Sequence, residues 1–131
     1  MFTINTYLDR STIQGIGVFA AEDIAKGKVV WVFNPLLDIE LNGAQWTELE
    51  QTISTQSFKV VQRYAYKENN KFYLCVDNAQ FMNHSDDHFN VGNNKTDNTM
   101  AAKTAIRKGD ELVCNYYEYC DPDDVNLLKI R

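Results

Sequence analysis

Turn-forming residues interrupt this chain so often that no long helix or strand fits between them. Gly15 with Gly17, Lys26–Gly27, Asn34–Pro35, Asn42–Gly43, Asn69–Asn70 and Lys108–Gly109–Asp110 each favour a reversal or a stop. Glycine and asparagine tolerate left-handed backbone, and proline cannot donate to a ladder. The intervals carry alternating, β-branched and aromatic residues, which predicts short strands over Thr3–Leu8, within Gln14–Ala20, and over Lys28–Phe33, Leu36–Leu41, Lys71–Val76, Thr99–Ile106 and Glu111–Tyr116. Lys28–Phe33 and Leu36–Leu41 read as a hairpin-like pair closed by Asn42–Gly43. Ala44–Ile53, with Trp46, Leu49 and Ile53 on one side, reads as a short helix, and Asp77–Phe81 as a helical turn. Phe58–Tyr66 suits a helix or a strand by periodicity. Its second half is assigned to a strand that pairs with Lys71–Val76 across Asn69–Asn70, and the Asn- and Asp-rich Asp86–Asn98 is read as mostly loop.

A chain of 131 residues has room for one domain, residues 1–131, and 44% hydrophobic content with 12% aromatics suffices for a core. Thirteen Lys and Arg against eighteen Asp and Glu give a net charge of −5. That field repels phosphate backbones, so nucleic acid is not expected as a partner, and it attracts basic peptides. Cys75, Cys114 and Cys120 are an odd number without a CxxC pair, which argues against a disulfide framework and a zinc knuckle and for a reducing intracellular setting. No apolar run nears the roughly 20 residues of a membrane span. Met1–Arg10 lacks the basic head and apolar stretch of a secretory signal, so neither membrane insertion nor secretion is expected.

Three segments hold residues able to carry chemistry. Gly15–Ile16–Gly17 is an ordinary turn or a place where backbone approaches a ligand; it lacks the third glycine and following helix of a dinucleotide-binding loop. Asn83–His84–Ser85 sets polar groups directly after the apolar Phe81–Met82, where they need partners. His84, Asp86, Asp87 and His88 have metal-ligand chemistry, but neighbours in one loop rarely converge on an ion, so no metal is expected. Gly109–Asp110–Glu111–Leu112 leads to Asn115–Tyr116–Tyr117, and strand alternation would set Leu112, Cys114 and Tyr116 on one face. Tyr64, Tyr66, Tyr73, Tyr117 and Tyr119 make this half of the chain rich in phenols, which suits an aromatic channel around an extended aliphatic side chain.

Taken in order, these segments resemble those of the SET-domain protein lysine methyltransferases. Gly15–Ile16–Gly17–Val18–Phe19–Ala20 is similar to the family's glycine pair, Phe81–Met82–Asn83–His84–Ser85 to its Asn-His-Ser motif, and Gly109–Asp110–Glu111–Leu112 through Tyr116 to its acidic turn and tyrosine. The likeness runs from about Gln14 to Tyr119. It implies a mainly β fold (the β-clip or SET fold) of several small sheets with one or two short helices and a C-terminal pseudoknot. It further implies S-adenosylmethionine against Gly15, Ile16, Gly17, Asn83 and His84, with Tyr116 as catalytic tyrosine and Tyr64, Tyr66 and Tyr119 along the lysine channel. Two departures stand out. The family's Pro-Asn continuation is replaced by Asp86–Asp87–His88–Phe89–Asn90, whose asparagine comes one residue late, and Asp121–Arg131 holds no cysteine-rich zinc segment. Channel closure then falls to this tail or to a second subunit, as in a homodimer, or else the minimal domain suffices alone.

The resemblance implies methyl transfer to the ε-amine of a lysine in a protein substrate, a basic, histone-like tail being favoured by the acidic surface. The alternative is a catalytically silent peptide-binding module of the same fold. A metal-dependent hydrolase at His84–His88 is a more distant third.

Overall fold

The turn signals work as stops, and the elements between them are short. A computed structural model describes residues 1–130 and contains ten strands: β1 Thr6–Arg10, β2 Ile16–Ala20, β3 Val29–Val32, β4 Ile39–Leu41, β5 Tyr66–Glu68, β6 Lys71–Leu74, β7 Asn83–His84, β8 Val91–Asn94, β9 Thr99–Ala102 and β10 Glu111–Cys114. Three helices accompany them, α1 Gly43–Thr52, α2 Thr55–Tyr64 and α3 Val125–Lys129, with 3₁₀ turns at Asn78–Phe81 and Tyr116–Glu118. The expected mainly β architecture is present, with more helix than the sequence suggested. No helix among the described residues is long and apolar enough to cross a membrane.

One sheet runs β1-β2-β10-β8-β9-β3, with β7 also paired to β10; the other runs β4-β6-β5. Strand β10 therefore joins the antiparallel hairpin β1–β2 to β7 and β8, both parallel to it. Being central, it is buried on both faces: Leu112 and Cys114 are fully buried and Val113 is 6% exposed. The strand stops at Cys114, and Tyr116 starts a 3₁₀ turn in which Asn115 accepts from the Tyr117 amide at 3.0 Å. Val18, Ile24, Val30, Val91, Ile106, Leu112 and Cys114 form the centre of the core. Each such aliphatic side chain contributes about 1.5–3 kcal/mol by leaving water.

Several expectations are corrected. Residues 36–41 do not return along β3: the Asp38 carboxylate accepts from the Asn34 amide at 2.8 Å and pairs with the Met1 amino group at 3.0 Å, holding a turn. The chain then enters the second sheet as β4 beside β6. Asn42 caps α1 instead of closing a hairpin, exchanging bonds with Gln45 in both directions, each at 2.8 Å. The second half of Phe58–Tyr66 is helical, because Ser54 caps α2 by accepting from the Ser57 amide and the apolar residues Phe58 and Val61 recur at helical spacing. Only from Tyr66 does the chain pair with β6, through a turn in which Asn69 and Asn70 both take the left-handed conformation that suits a two-residue hairpin. Asp86–Asn98 is mostly loop as expected, but within it Val91–Asn94 pairs with β9 residue by residue. Main-chain pairing beside β10 overrides the weak strand preference of its glycine and asparagines.

Candidate active site

Where β7 meets β10, residues far apart in the chain come into contact. The Asn83 side-chain amide donates to the main-chain carbonyls of Gln14 at 3.1 Å and Ile16 at 3.3 Å and to Glu111 Oε1 at 3.0 Å. The other Glu111 oxygen accepts from Ser11 Oγ at 3.0 Å. One amide thereby binds the glycine turn to the Asn-His-Ser strand and to β10. Gly15 supports this turn with φ of +52°, costly for other residues. Gly17 is needed for a different reason: a Cβ there would overlap the Glu111 carboxylate.

His84 fixes the tyrosine. Its Nδ1 accepts from the Tyr116 amide at 3.0 Å, which leaves the ring proton on Nε2, and the two rings lie 4.9 Å apart. Burial holds the His84 pKa below its usual value, so the imidazole is neutral and able to accept. The Tyr116 hydroxyl donates to the Met82 carbonyl at 2.9 Å. Burial pushes its phenol pKa far up, and Cys114, Cys120 and Asp124 add to that, so it stays protonated and is no general base near neutral pH. Asn90, the late asparagine, makes two further bonds to β10, donating to Glu111 O at 2.8 Å and accepting from the Val113 amide at 2.9 Å.

Two cavities meet here. The wider one, of about 980 Å³, lies along the glycine turn and is lined by Gln14, Gly15, Ile16 and Asn83 opposite residues of α2 and α3. The narrower, of about 70 Å³, is walled by Tyr66, Tyr119, Trp31, Cys75 and Met100. Tyr64, Met82 and Tyr116 border both. Inside the narrow cavity the Tyr66 and Tyr119 rings stand edge to face at 5.2 Å, and Tyr116 and Tyr119 at 6.0 Å. The Tyr119 hydroxyl lies 3.5 Å from Cys114 Sγ, and burial drives both groups far from ionisation, the thiol up to about 12. Tyr64 closes α2 with its ring edge to face on Phe81 at 5.2 Å.

Of the residues singled out in the sequence, Gly15, Ile16 and Asn83 line the wide groove, Tyr66 and Tyr119 the narrow cavity, and Tyr64 and Tyr116 both. Gly17 and His84 stand behind the wall, against Glu111 and Tyr116 respectively. Tyr117 is turned outward, its ring 5.5 Å from His84. No group of three or more His, Cys, Asp or Glu among the described residues is placed to hold a metal. Sequence reasoning missed Asn126, which lines both cavities and donates to the carbonyls of Gln62, Arg63 and Ala65 at 3.0, 3.2 and 2.9 Å. The only signal for it is Asp124, whose carboxylate caps α3 and also accepts from the Lys67 amide at 2.6 Å. The tail it belongs to closes the edge of β5.

A family model for the SET domain matches residues 15–117. Among solved structures, a Plasmodium falciparum protein assigned as a histone methyltransferase superposes with a TM-score of 0.58 at 23% identity, over 87% of this chain and 94% of that one. Polycomb Repressive Complex 2 of Chaetomium thermophilum, in an autoinhibited conformation bound to S-adenosylmethionine, matches with a TM-score of 0.67 at 21% identity, over 98% of this chain and 17% of that one. The same complex with H3K27me3 and H3K27M gives 0.62 at 20% identity, over 86% and 14%. No curated protein sequence matches.

Proposed function

This chain belongs to the SET-domain family, and from that premise we propose that it transfers a methyl group from S-adenosylmethionine to the ε-amine of a lysine in a protein substrate. The observation that carries the reading is the meeting of a wide, mixed groove and a narrow aromatic cavity at Tyr64, Met82 and Tyr116. Such a junction lets two ligands meet end to end from opposite sides. The groove suits the cosubstrate, because apolar Ile16, Val60 and Ile130 stand beside the polar Gln14 and Gln56, as a ligand with an aromatic base and a charged amino-acid end requires. Gly15, Ile16 and Asn83 would hold it. When bound, S-adenosylmethionine supplies an electrophilic methyl on a sulfonium that departs as a neutral thioether.

The remaining work is positioning and proton management by side chains of this chain. The aromatic cavity strips water from an entering lysine, which lowers its pKa and favours the free amine. Tyr116 has already committed its proton to Met82, so its oxygen keeps lone pairs to accept an amine N–H and turn the nitrogen lone pair toward the groove. His84 sets the height of Tyr116 through the 3.0 Å bond from its amide. Solvent at the open end takes the amine proton, since Tyr116 is neither charged nor basic. The acidic surface favours a basic tail as substrate.

The test is methyl transfer itself: purified chain, S-adenosylmethionine labelled in the methyl group, and a panel of basic proteins, with labelled lysines mapped by mass spectrometry. Label on a lysine is expected. Peptide binding without transfer would turn the reading to a silent binding module.

A further inference from the structure

The negative charge of this chain is unevenly spread. Residues 22–28 and 102–110 hold five of its thirteen cations, Lys26, Lys28, Lys103, Arg107 and Lys108, against three acids, Glu22, Asp23 and Asp110, which leaves eight cations against fifteen acids elsewhere. The fold lays these two segments side by side. Ile24 and Ile106 exchange main-chain bonds at 2.7 and 2.9 Å, and the Gly27 amide donates to the Ala102 carbonyl at 2.8 Å. Both isoleucines turn into the core, while residues 25–28, 103–105 and 107–110 are exposed. One turn therefore flanks each side of the bridge, with Gly27 and Gly109 at φ of +85° and +94°. The cations form a stripe across it. None of them lines the groove or the aromatic cavity, and β10 sets four residues, about 13 Å, between this end of the sheet and Tyr116.

The three acids are occupied in holding the turns. Asp23 accepts from the Lys108 amide at 2.8 Å and Asp110 from the Arg107 amide at 3.0 Å. Glu22 accepts from Asn5 Nδ2 at 2.9 Å and pairs with Lys28 at 3.7 Å. The Lys103 ammonium lies 3.4 Å from the centre of the Phe89 ring. Lys26, Arg107 and Lys108 take part in none of the ion pairs among the described residues. Exposed, unpaired cations on a chain of net charge −5 fit an anion dense enough to outweigh the general repulsion, and a duplex carries one charge per roughly 1.7 Å of its axis. Charges farther off than about 8 Å are largely screened, so the local stripe decides the contact. Neither segment contains an aromatic residue, so the stripe offers no platform for unpaired bases. We infer that Lys26, Arg107 and Lys108, flanked by Lys28 and Lys103, form a binding site for the phosphate backbone of duplex nucleic acid. The net charge that weighed against such a partner is an average over the surface and conceals this local reversal.

Fluorescence anisotropy of a labelled, mixed-sequence DNA duplex titrated with the whole purified chain tests the site without turnover, so its failure leaves the methyl-transfer reading standing. The wild type is expected to bind, with log affinity falling linearly against log salt by about 0.9 per phosphate contact. The exposed triple variant Lys26→Gln, Arg107→Gln and Lys108→Gln should lose roughly tenfold or more in affinity at ~50 mM salt and flatten that slope by about 3, with melting temperature unchanged. Removing the same charge elsewhere, by Arg10→Gln, Lys71→Gln and Lys95→Gln, should cost far less. A single strand of the same sequence and polyglutamate of equal charge should both bind more weakly than the duplex. Absence of binding by the wild type, unaltered binding by the first triple variant, or equal losses in the two triple variants overturns the site. Polyglutamate or the single strand binding as tightly as the duplex overturns its assignment to a duplex backbone.

Discussion

At the scale of single residues, the site depends on the Tyr116 and His84 side chains and on the missing side chain of Gly17. Tyr116→Phe removes the hydroxyl that donates to Met82 and would accept from the amine, while the ring keeps its packing on Tyr119 and His84. Turnover should fall roughly a hundredfold, as expected of lost alignment at a reacting nitrogen, with S-adenosylhomocysteine binding retained in calorimetry. Unchanged turnover would remove Tyr116 from the mechanism. His84 makes its contribution as a neutral acceptor. Because burial lowers its folded pKa below the ordinary 6.5, its stabilising effect is complete above that pH. As pH falls below it, the unfolded chain takes up the proton first and stability drops until the folded pKa is reached. Melting temperature should therefore decline just below pH 6.5, with a shallower decline over that interval in His84→Gln. Gly17→Ala would push the Glu111 carboxylate off Asn83 and Ser11, costing about 1–3 kcal/mol for charged hydrogen bonds lost, measurable by denaturant unfolding.

At the scale of elements, α2 matters more than its sequence suggested. It supplies Tyr64 to the junction and its cationic face to the groove, and its last carbonyls are satisfied by Asn126 instead of a glycine cap. Asn126→Ala strips the side-chain partner from those carbonyls and should destabilise the chain by about 1–3 kcal/mol. It should also weaken S-adenosylhomocysteine binding, because α3 and Lys129 lose their fastening to α2. Stability loss with unchanged binding would show that α3 is not part of the groove wall. Strand β10 is the other pivotal element: its neighbours β2, β7 and β8 carry the glycine turn, Asn83 with His84, and the Asn90 region respectively.

For the molecule as a whole, charge separation is the governing feature: a net charge of −5 coexists with a groove whose only charged lining residues are cations, Lys59, Arg63 and Lys129. If a basic tail is the substrate, its KM should rise steeply toward about 1 M salt, where the screening length shrinks to about 3 Å, while kcat changes little. A KM that ignores salt would mean that the overall field plays no part in recruitment.

The motifs were legible because they are local: a glycine pair, an Asn-His-Ser tripeptide and an acidic turn ahead of a tyrosine each need only a few adjacent residues of the right chemistry. The turns were legible for the same reason, down to the paired left-handed asparagines at Asn69 and Asn70. What the order of residues could not reveal was any arrangement set by distant partners. Val91–Asn94 became a strand because β9 and β10 were there to pair with it, and residues 36–41 left β3 because Asp38 found the Met1 amino group and the Asn34 amide. Tertiary structure alone likewise decided that Asn126 completes two cavities and that three cations face one groove. A periodic pattern specifies which face of an element is apolar, but not which element will cover it, and that choice is made by packing across the whole chain.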